Sequence, residues 1–361
     1  MQLPPPPSCA FASDNAAGAH PLVMEALVDA NRGHALAYGD DTWTAEAESR
    51  FRDLFGPSAT TLLVWNGTGA NVLALAAMAR PADAVVCSNW AHIAVDETGA
   101  PERIVGSKLI TLTCDDGKLV PEQLDSLTHL VGVQHHAQPG VLSITQSTEL
   151  GTVYSADEIA ALCDAAHRMG MTVHLDGARI ANATAALGGS VDALRAFTVD
   201  AGVDVVSFGG TKAGMAFGEA VVFLSPTLAA RAHFVRKMVT QLPSKMRFVA
   251  AQFNALLHDD LWIRLATHAN EMAMRLHDAT AHLPGVEYAG SPAVNSVFPV
   301  LPPHVVEPLR EWCFFWDWDT HREDGRYQVR WMTSWDTTPV DVQRFAAGVA
   351  AAVTSGRRSA I

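Results

Sequence analysis

Positive charge is scarce in this sequence. Its 361 residues include 25 lysine and arginine residues against 38 aspartate and glutamate residues, which gives a net charge of -13. Binding to a nucleic-acid backbone requires clustered lysine and arginine, and no block rich in these two residues occurs along the chain. The composition therefore argues against a nucleic-acid partner.

Long apolar runs are missing as well. No stretch reaches the roughly 18 to 20 apolar residues that cross a bilayer, and the opening MQLPPPPSCAFASDN lacks the basic and apolar segments of a signal peptide. The five cysteines are scattered and form no C-x-x-C pair, a pattern that favours reduced thiols over disulfides or a zinc–cysteine site. We expect a cytoplasmic protein with no membrane partner.

What the sequence does contain is an ample apolar core, 49% of all residues, in alternating strand-like and helical segments. Short β-branched runs between residues 55 and 225 predict strands at Thr60–Trp65, Asp83–Ser88, His129–Gln134 and Met171–Gly177, and in DVVSF and EAVVFL. A helix is predicted over Ser155–Gly170, with a capping box at its start and a glycine at its end. Alternating strands and helices predict an α/β fold with a largely parallel sheet.

The pattern changes near residue 250. Longer helices follow, over Phe248–Leu257 and Trp262–His277, and then short strands such as NSVFPVL and YQVRWMTSW. This change predicts a large domain over residues 1–250, with an N-terminal arm at 1–20, and a smaller α+β domain over residues 251–361.

Two segments of the large domain carry candidate ligand sites. In MTVHLDGARI, Asp176 lies at the end of a predicted parallel strand, where open α/β sheets bind ligands. A structural role is the alternative, in which Asp176 pairs with Arg179 or caps the next turn. In NGTGAN, glycines between a strand and a helix would expose backbone N–H groups to a phosphate. An ordinary strand-to-helix turn is the alternative there.

The third segment is SFGGTKAG, which carries Lys212, one of only five lysines. It lies between two apolar, strand-like runs, and desolvation favours the neutral amine that attacks carbonyl groups. A solvated loop lysine is the alternative interpretation. A glycine turn for a phosphate, a strand-end aspartate and an isolated lysine together are the parts that a pyridoxal phosphate (PLP) site requires.

With these motifs the sequence resembles the L-threonine aldolase family of fold-type-I PLP enzymes, and among them the low-specificity and phenylserine-aldolase-like members. The resemblance covers most of the chain and includes AYGDD, NGTGAN, AHIAVDETGAPE, HLDGARIANA, SFGGTKAG and SKMRF. It implies a mostly parallel, seven-stranded-type sheet in the large domain and PLP as the cofactor. It also implies a homotetramer, a dimer of dimers, with sites shared between subunits.

The resemblance further implies roles for cofactor-binding residues. Lys212 would form the Schiff base with the cofactor, and Asp176 would hold its pyridine nitrogen protonated. His92 would stack on the cofactor ring and is a candidate for proton transfer. The residues implied in binding the phosphate are Gly67, Thr68, Thr211 and Arg247. Of these, Arg247 would bind the phosphate in the neighbouring subunit.

Substrate-binding residues are implied in the same way. Ser13, Arg179 and Arg330 would hold the substrate carboxylate, and Arg179 would also bind the cofactor. Tyr38 and His135 are implied as further substrate-binding residues, and Tyr38 and Asp40 would lie near a site shared between subunits. One segment differs from the family: TQSTELG stands where many members have Glu-Asn-Thr-His, so that Thr148 or Glu149 replaces a histidine. The base that accepts the substrate proton is then His92, His135, His136 or an ordered water.

The implied reaction is retro-aldol cleavage of a β-hydroxy-α-amino acid to glycine and an aldehyde. A PLP-dependent β-eliminating lyase or an amino-acid racemase is the alternative on the same fold. A different class of enzyme, a metal-dependent hydrolase, would use His174, Asp176 and the His135/His136 pair. A non-catalytic binding module is the last alternative. We expect a small amino-acid substrate and no metal.

Overall fold

The computed structural model describes residues 3–358, with side chains described as far as residue 354. The chain divides into two compact units, one of residues 19–263 and one that combines residues up to 18 with those from 264 on. The sequence pattern predicts a division after residue 250 and an N-terminal arm that belongs to the large domain. In the structure Phe11 lies in the core of the second unit and stacks on Phe345 at 4.3 Å between ring centroids.

The first unit is built around a seven-stranded sheet in the order β1-β7-β6-β5-β4-β2-β3. Its strands are β1 Thr60–Val64, β2 Asp83–Ser88, β3 Lys108–Leu112, β4 Gln138–Thr145, β5 Thr172–Gly177, β6 Val205–Gly209 and β7 Glu219–Phe223.

This sheet is mostly parallel, as predicted. β2, β3, β4, β5 and β6 run in one direction, whereas β7 is antiparallel to both of its neighbours, β1 and β6. The reversal follows from chain length, because a parallel connection needs about a dozen residues or more and only residues 210–218 join β6 to β7.

Helices cover the sheet of the first unit. They are α1 Pro21–Ala30, α2 Thr42–Phe55, α3 Gly67–Met78, α4 His92–Val95, α5 Ala100–Val105, α6 Pro121–Asp125, α7 Ala156–Arg168, α8 Ile180–Ala186, α9 Val191–Ala196, α10 Pro226–Ala229, α11 Ala232–Met238 and α12 Arg247–Leu256. The predicted capping box of α7 is confirmed, because Ser155 and Glu158 exchange side-chain and backbone hydrogen bonds. Gly170, two residues beyond the end of α7, has a φ of 79°, as a C′ glycine does.

The predicted strand at His129–Gln134 is wrong. Thr128–Leu130 is a 3-10 helix followed by exposed turns, and the strand begins later, at Gln138. Pro139 and Gly140 lie in that strand, and both residues normally argue against a strand interior. Here the ladder shifts register beside Pro139, and Gly140 packs so closely on Asp83 that a Cβ would lie 2.4 Å from its Cγ.

The second unit is α+β. Its strands are β8 Glu287–Tyr288, β9 Ser296–Val297, β10 Pro299–Leu301, β11 Trp316–Asp319 and β12 Tyr327–Met332. Its helices are α14 Pro303–Trp312 and α15 Pro339–Arg358, and α13 Leu261–Thr280 begins in the first unit. Phe315, Trp331 and Phe345 form the aromatic centre of its core. Among the described residues, no helix is both long and apolar enough to cross a membrane. All five cysteines are free.

Candidate active site

One cavity of the first unit brings together residues from several strand ends and helix starts. About 400 Å³ of space lies between the protein atoms here, part of it open to solvent. Six of the lining residues are predicted site residues: Gly67, Thr68, His92, Asp176, Arg179 and Lys212. The others are Asn71, Glu97, Thr145, Ser147, Glu149 and Ala178.

Asp176 lies near the end of β5, in register with Thr145 of β4 and Ser207 of β6. Its carboxylate is buried, and each oxygen accepts a hydrogen bond: Oδ1 from Ala178 N–H at 3.0 Å and Oδ2 from Asn71 Nδ2 at 2.8 Å. The bond to Ala178 caps the following turn, so Asp176 has the structural role and also lines the cavity.

A hydrogen-bonded chain runs from Asp176 to His92. Asn71 donates from Nδ2 both to Asp176 and, at 2.9 Å, to Glu97 Oε1. The same Glu97 oxygen lies 2.8 Å from His92 Nδ1. This hydrogen bond raises the pKa of His92, an effect that burial opposes and that the nearby Asp176 charge reinforces.

Glu149 occupies the segment that departs from the family pattern. Its Oε1 accepts hydrogen bonds from His92 N–H at 2.7 Å and from the Thr145 hydroxyl at 3.0 Å. Its Oε2 is shielded from solvent and has no hydrogen-bond partner among the described residues. Burial, together with repulsion from Asp176, raises the pKa of this carboxyl to about 7. A buried, unsatisfied oxygen that lines a cavity is available to a ligand.

Lys212 lies in a 3-10 turn, Thr211–Ala213, directly after β6. The preceding Gly209 has no space for a side chain, since a Cβ would lie 2.3 Å from the Ala178 carbonyl oxygen. The hydroxyl of Thr211 accepts a hydrogen bond from Gly218 N–H at 3.1 Å. Thr211 is therefore tied into its own turn, and it does not belong to the set that lines the cavity.

The start of α3 forms another wall. Asn66 caps the helix by accepting a hydrogen bond from Gly69 N–H at 2.8 Å. Gly67 and Thr68 form the first turn, and a Cβ on Gly67 would meet nothing within 4 Å. The helix thus presents its N-terminal N–H groups and positive dipole end beside open space, the arrangement that favours an anion.

Besides Thr211, three predicted residues of the first unit lie outside this cavity. Arg247 lines a second cavity with Ser244 and Lys245, and its guanidinium lies 5.9 Å from the Trp43 ring. Tyr38 is tied to this region because its N–H donates to Ser244 O at 2.9 Å. His135 lies in an exposed turn and contributes to neither cavity.

Ser13 and Arg330 belong to the second unit. Ser13 caps a 3-10 helix at Asp14–Ala16, and Arg330 lies on β12 with its guanidinium 5.0 Å from the Trp318 ring. Met332 N–H donates a hydrogen bond to Phe11 O at 2.9 Å. Ser13 is two residues along the chain from Phe11, and Arg330 is two residues from Met332.

The hydrolase alternative is not supported by the surroundings of His174. This residue is fully buried, and its two ring nitrogens lie 2.9 Å from the hydroxyls of Ser143 and Ser207. Burial lowers the pKa of His174 to about 4. His135 and His136 are exposed, and the described part of the chain contains no cluster of three or more His, Cys, Asp or Glu suited to a metal ion.

Asn71 and Glu97 are among the cavity residues that sequence analysis missed. Asn71 is a polar residue in an otherwise apolar helix, NVLALAAMA, and a buried amide there needs partners. That signal was present in the sequence. Glu97 follows His92 by one helical turn and a bend, and only the fold shows that both face the cavity.

The chain is similar to known enzymes over most of its length. The family model described as β-eliminating lyase matches residues 10–301. The low-specificity L-threonine aldolase of Pseudomonas aeruginosa is 43% identical over 335 residues, which cover 92% of this chain and 94% of that protein.

Solved structures show the same similarity. The Leishmania major threonine aldolase has a TM-score of 0.89 and 30% identity, covering 96% of this chain and 99% of its own. A high-resolution structure of SPT with PLP has a TM-score of 0.71, covering 95% of this chain and 87% of its own, and at 16% identity it shows the fold alone.

The sheet and the cavity at its strand ends thus define a fold-type-I PLP enzyme fold. The chain belongs to the β-eliminating lyase family, and it is an enzyme of the lyase class.

Proposed function

We propose that this protein is a PLP-dependent aldolase that cleaves β-hydroxy-α-amino acids of the threonine, allo-threonine or phenylserine type to glycine and an aldehyde. The observation that carries the proposal is the single cavity that contains Lys212, Asp176, His92 and the start of α3. The similarity to threonine aldolases over nearly the whole chain supports the choice among PLP reactions.

The residues fit the cofactor in charge and space. Lys212 supplies the amine, and the carboxylate of Asp176 can hold the proton of a pyridine nitrogen. Gly67 and Thr68 offer N–H groups beside open space for a phosphate. When bound, PLP supplies the electron sink for the carbanion that remains after carbon–carbon bond cleavage.

The other cavity residues bind the substrate and move its proton. Arg179 offers a guanidinium for the substrate carboxylate, a task that we assign also to Ser13 and Arg330. Glu97 takes Nδ1 of His92, which directs Nε2 to the exchange of a proton with the substrate. Of the candidates from the sequence, His92 therefore has the best support as the proton acceptor, because it lines the cavity and His135 does not.

We also propose a homotetramer with shared sites. Large apolar side chains stand exposed in the first unit, among them Leu36 at 71% and Phe234 at 61% exposure. Tyr38 and Arg247 lie beside the second cavity in the same unit. Mixing Lys212→Ala and Arg247→Ala subunits should restore activity if each site draws on both chains.

We propose a cytoplasmic location as well. The five free cysteines support a reducing, cytoplasmic setting.

A glycine-release assay on the PLP-loaded protein tests the function. Threonine, allo-threonine and both phenylserine diastereomers are the substrates, and visible absorbance reports the bound cofactor. Lys212→Ala should abolish both signals, whereas the exposed Lys108→Ala should retain both. A Lys212→Ala variant that is colourless and still releases glycine would refute the proposal. Pyruvate with ammonia, or the substrate enantiomer, in place of glycine would instead indicate β-elimination or racemisation.

A further inference from the structure

A buried carboxylate on β7 holds the turn that carries Lys212. Glu219 is the first residue of β7 and pairs with Gly209 of β6 and Val64 of β1. It is 7% exposed, and its Oε2 accepts a hydrogen bond from Gly210 N–H at 2.5 Å. Since Gly210 lies two residues before Lys212, this bond fixes the start of the lysine turn to the sheet.

The turn has little conformational freedom around this bond. A Cβ on Gly210 would lie 2.5 Å from Met215 Sδ and 2.6 Å from the Gly218 carbonyl oxygen. Gly218 itself has a φ of +117°, which favours glycine. Backbone packing restricts the turn, and two side chains bind it: Glu219 at Gly210 N–H and the Thr211 hydroxyl at Gly218 N–H.

The other end of the same turn is held without charge. Gln252 accepts a hydrogen bond from Ala216 N–H at 2.8 Å and donates to Phe217 O at 3.0 Å. A neutral amide is thus sufficient to hold this backbone, and burying a carboxylate carries a desolvation penalty that an amide avoids. The charge of Glu219 calls for a second role.

The charge of Lys212 acts on Glu219. Burial raises the pKa of Glu219 to about 7, against hydrogen bonds from Gly210 and Thr211 and the charge of Lys212. Val249 and Phe253 of α12 lie close to Gly218 and Gly210, and Val64 of β1 pairs with Glu219. The titratable and charged side chains that line the same cavity as Lys212 are His92, Glu97, Glu149, Asp176 and Arg179. Coupling is reciprocal, so the ionised Glu219 favours the protonated lysine.

We propose that Glu219 is a positioning residue for Lys212, which holds the lysine turn through Gly210 and favours the protonated form of the lysine amine. The inference rests on the proposed function in taking Lys212 as the reactive amine. Because only the neutral amine attacks a carbonyl, Glu219 controls how readily Lys212 becomes a nucleophile.

The protonation of Lys212 can be measured directly, because the chain has only five lysines. In the full-length chain without PLP, the lysines are reductively dimethylated with 13C-formaldehyde and a borohydride reductant, and the NMR signal of Lys212 is assigned from Lys212→Arg. Glu219→Gln should lower the pKa of Lys212 by about one unit. Gln252→Met, which removes the neutral anchor of the same turn, should leave this pKa unchanged. Equal Lys212 pKa values in the wild type and Glu219→Gln would overturn the proposal.

A reciprocal measurement covers the case in which Glu219→Gln does not fold. The amide proton of Gly210 reports the ionisation of Glu219 in the wild-type chain. Lys212→Met should raise the pKa of Glu219 read at this proton, and an unchanged value would also overturn the proposal. Neither measurement requires PLP or turnover. A protein that shows this coupling and releases no glycine would refute the proposed function alone.

Discussion

His92 and Glu97 lie five residues apart, and Nδ1 of the imidazole is 2.8 Å from Oε1 of the carboxylate. The Glu97 side chain is completely buried, and its Oε2 has no partner among the described residues. The ring is thereby oriented before any ligand enters. Its charge state is also biased, because the hydrogen bond raises the pKa of His92.

Replacing Glu97 should change the ionisation of His92. We expect Glu97→Gln to lower the pKa of His92, because the amide keeps the shape and removes the charged acceptor that stabilises the imidazolium. The descending acid limb of the pH profile of kcat/KM should move to lower pH. Proton NMR, with His92 assigned from His92→Asn, measures the pKa itself. Glu102→Gln, an exposed acid on α5, is the control. An unmoved His92 titration in Glu97→Gln would contradict the expectation.

Glu149 should make stability depend on pH in the opposite sense to an ordinary salt-bridged carboxylate. Its pKa rises from 4.5 in the unfolded chain to about 7 in the fold, so its contribution is fully present below pH 4.5 and is lost as pH rises through 7. The loss is up to about 3 kcal/mol in the free energy of unfolding. Glu149→Gln removes it, and urea unfolding at pH 5 and pH 8 measures the difference. Wild-type and variant curves that stay parallel in pH would refute the assignment.

His174 should contribute the reverse dependence. Burial lowers its pKa from 6.5 to about 4, so the folded state favours neutral imidazole. That contribution is present above pH 6.5 and is lost as pH falls toward 4, by about 3 kcal/mol. In His174→Gln, unfolding monitored by circular dichroism should lose this acid sensitivity. His304→Gln, at an exposed histidine, is the control. An acid profile of His174→Gln equal to that of the wild type would exclude the effect.

Alanine substitutions at two glycines should affect two different properties, the stability of the fold and the affinity for PLP. Gly209→Ala places a Cβ 2.3 Å from the Ala178 carbonyl oxygen, and we expect it to destabilise the protein by roughly 1–3 kcal/mol. Gly67→Ala meets nothing within 4 Å, so its stability should match the wild type. The added methyl would nevertheless occupy the space assigned to the phosphate and weaken PLP binding. Urea unfolding and PLP titration distinguish the two. Unchanged PLP affinity in Gly67→Ala would argue against a phosphate there.

The sequence predicted the parts of the site that lie at strand and helix ends. Asp176 could be predicted because side chains alternate between the two faces of its strand and the strand ends at a glycine. Lys212 could be predicted because it is isolated between apolar runs. β4 was missed because its sequence contains Pro139 and Gly140, which are unusual in a strand. The neighbouring valine-containing segment His129–Gln134 resembled a strand more closely. Short apolar runs do not by themselves distinguish strands from turns.

The hydrogen-bonded chain through the cavity could not have been predicted. Asn71 and Asp176 are separated by 105 positions in the sequence, and their contact depends on the packing of α3 against the sheet. Whether Glu149 faces His92 depends likewise on how the segment after β4 turns, which no local pattern encodes. Long-range polar contacts of this kind follow from the tertiary structure.

Asn71 places an uncharged amide between two acidic side chains, those of Asp176 and Glu97. Its amide lies between the carboxylates of Asp176 and Glu97, donates to both, and remains uncharged at every pH. The hydrogen-bonded chain therefore offers no carrier for a proton between Glu97 and Asp176, although the charge of Asp176 still acts on the pKa of His92 through space. For an engineer, substitutions at Glu97 and at Asp176 change His92 by two different routes, one through a hydrogen bond and one through charge alone.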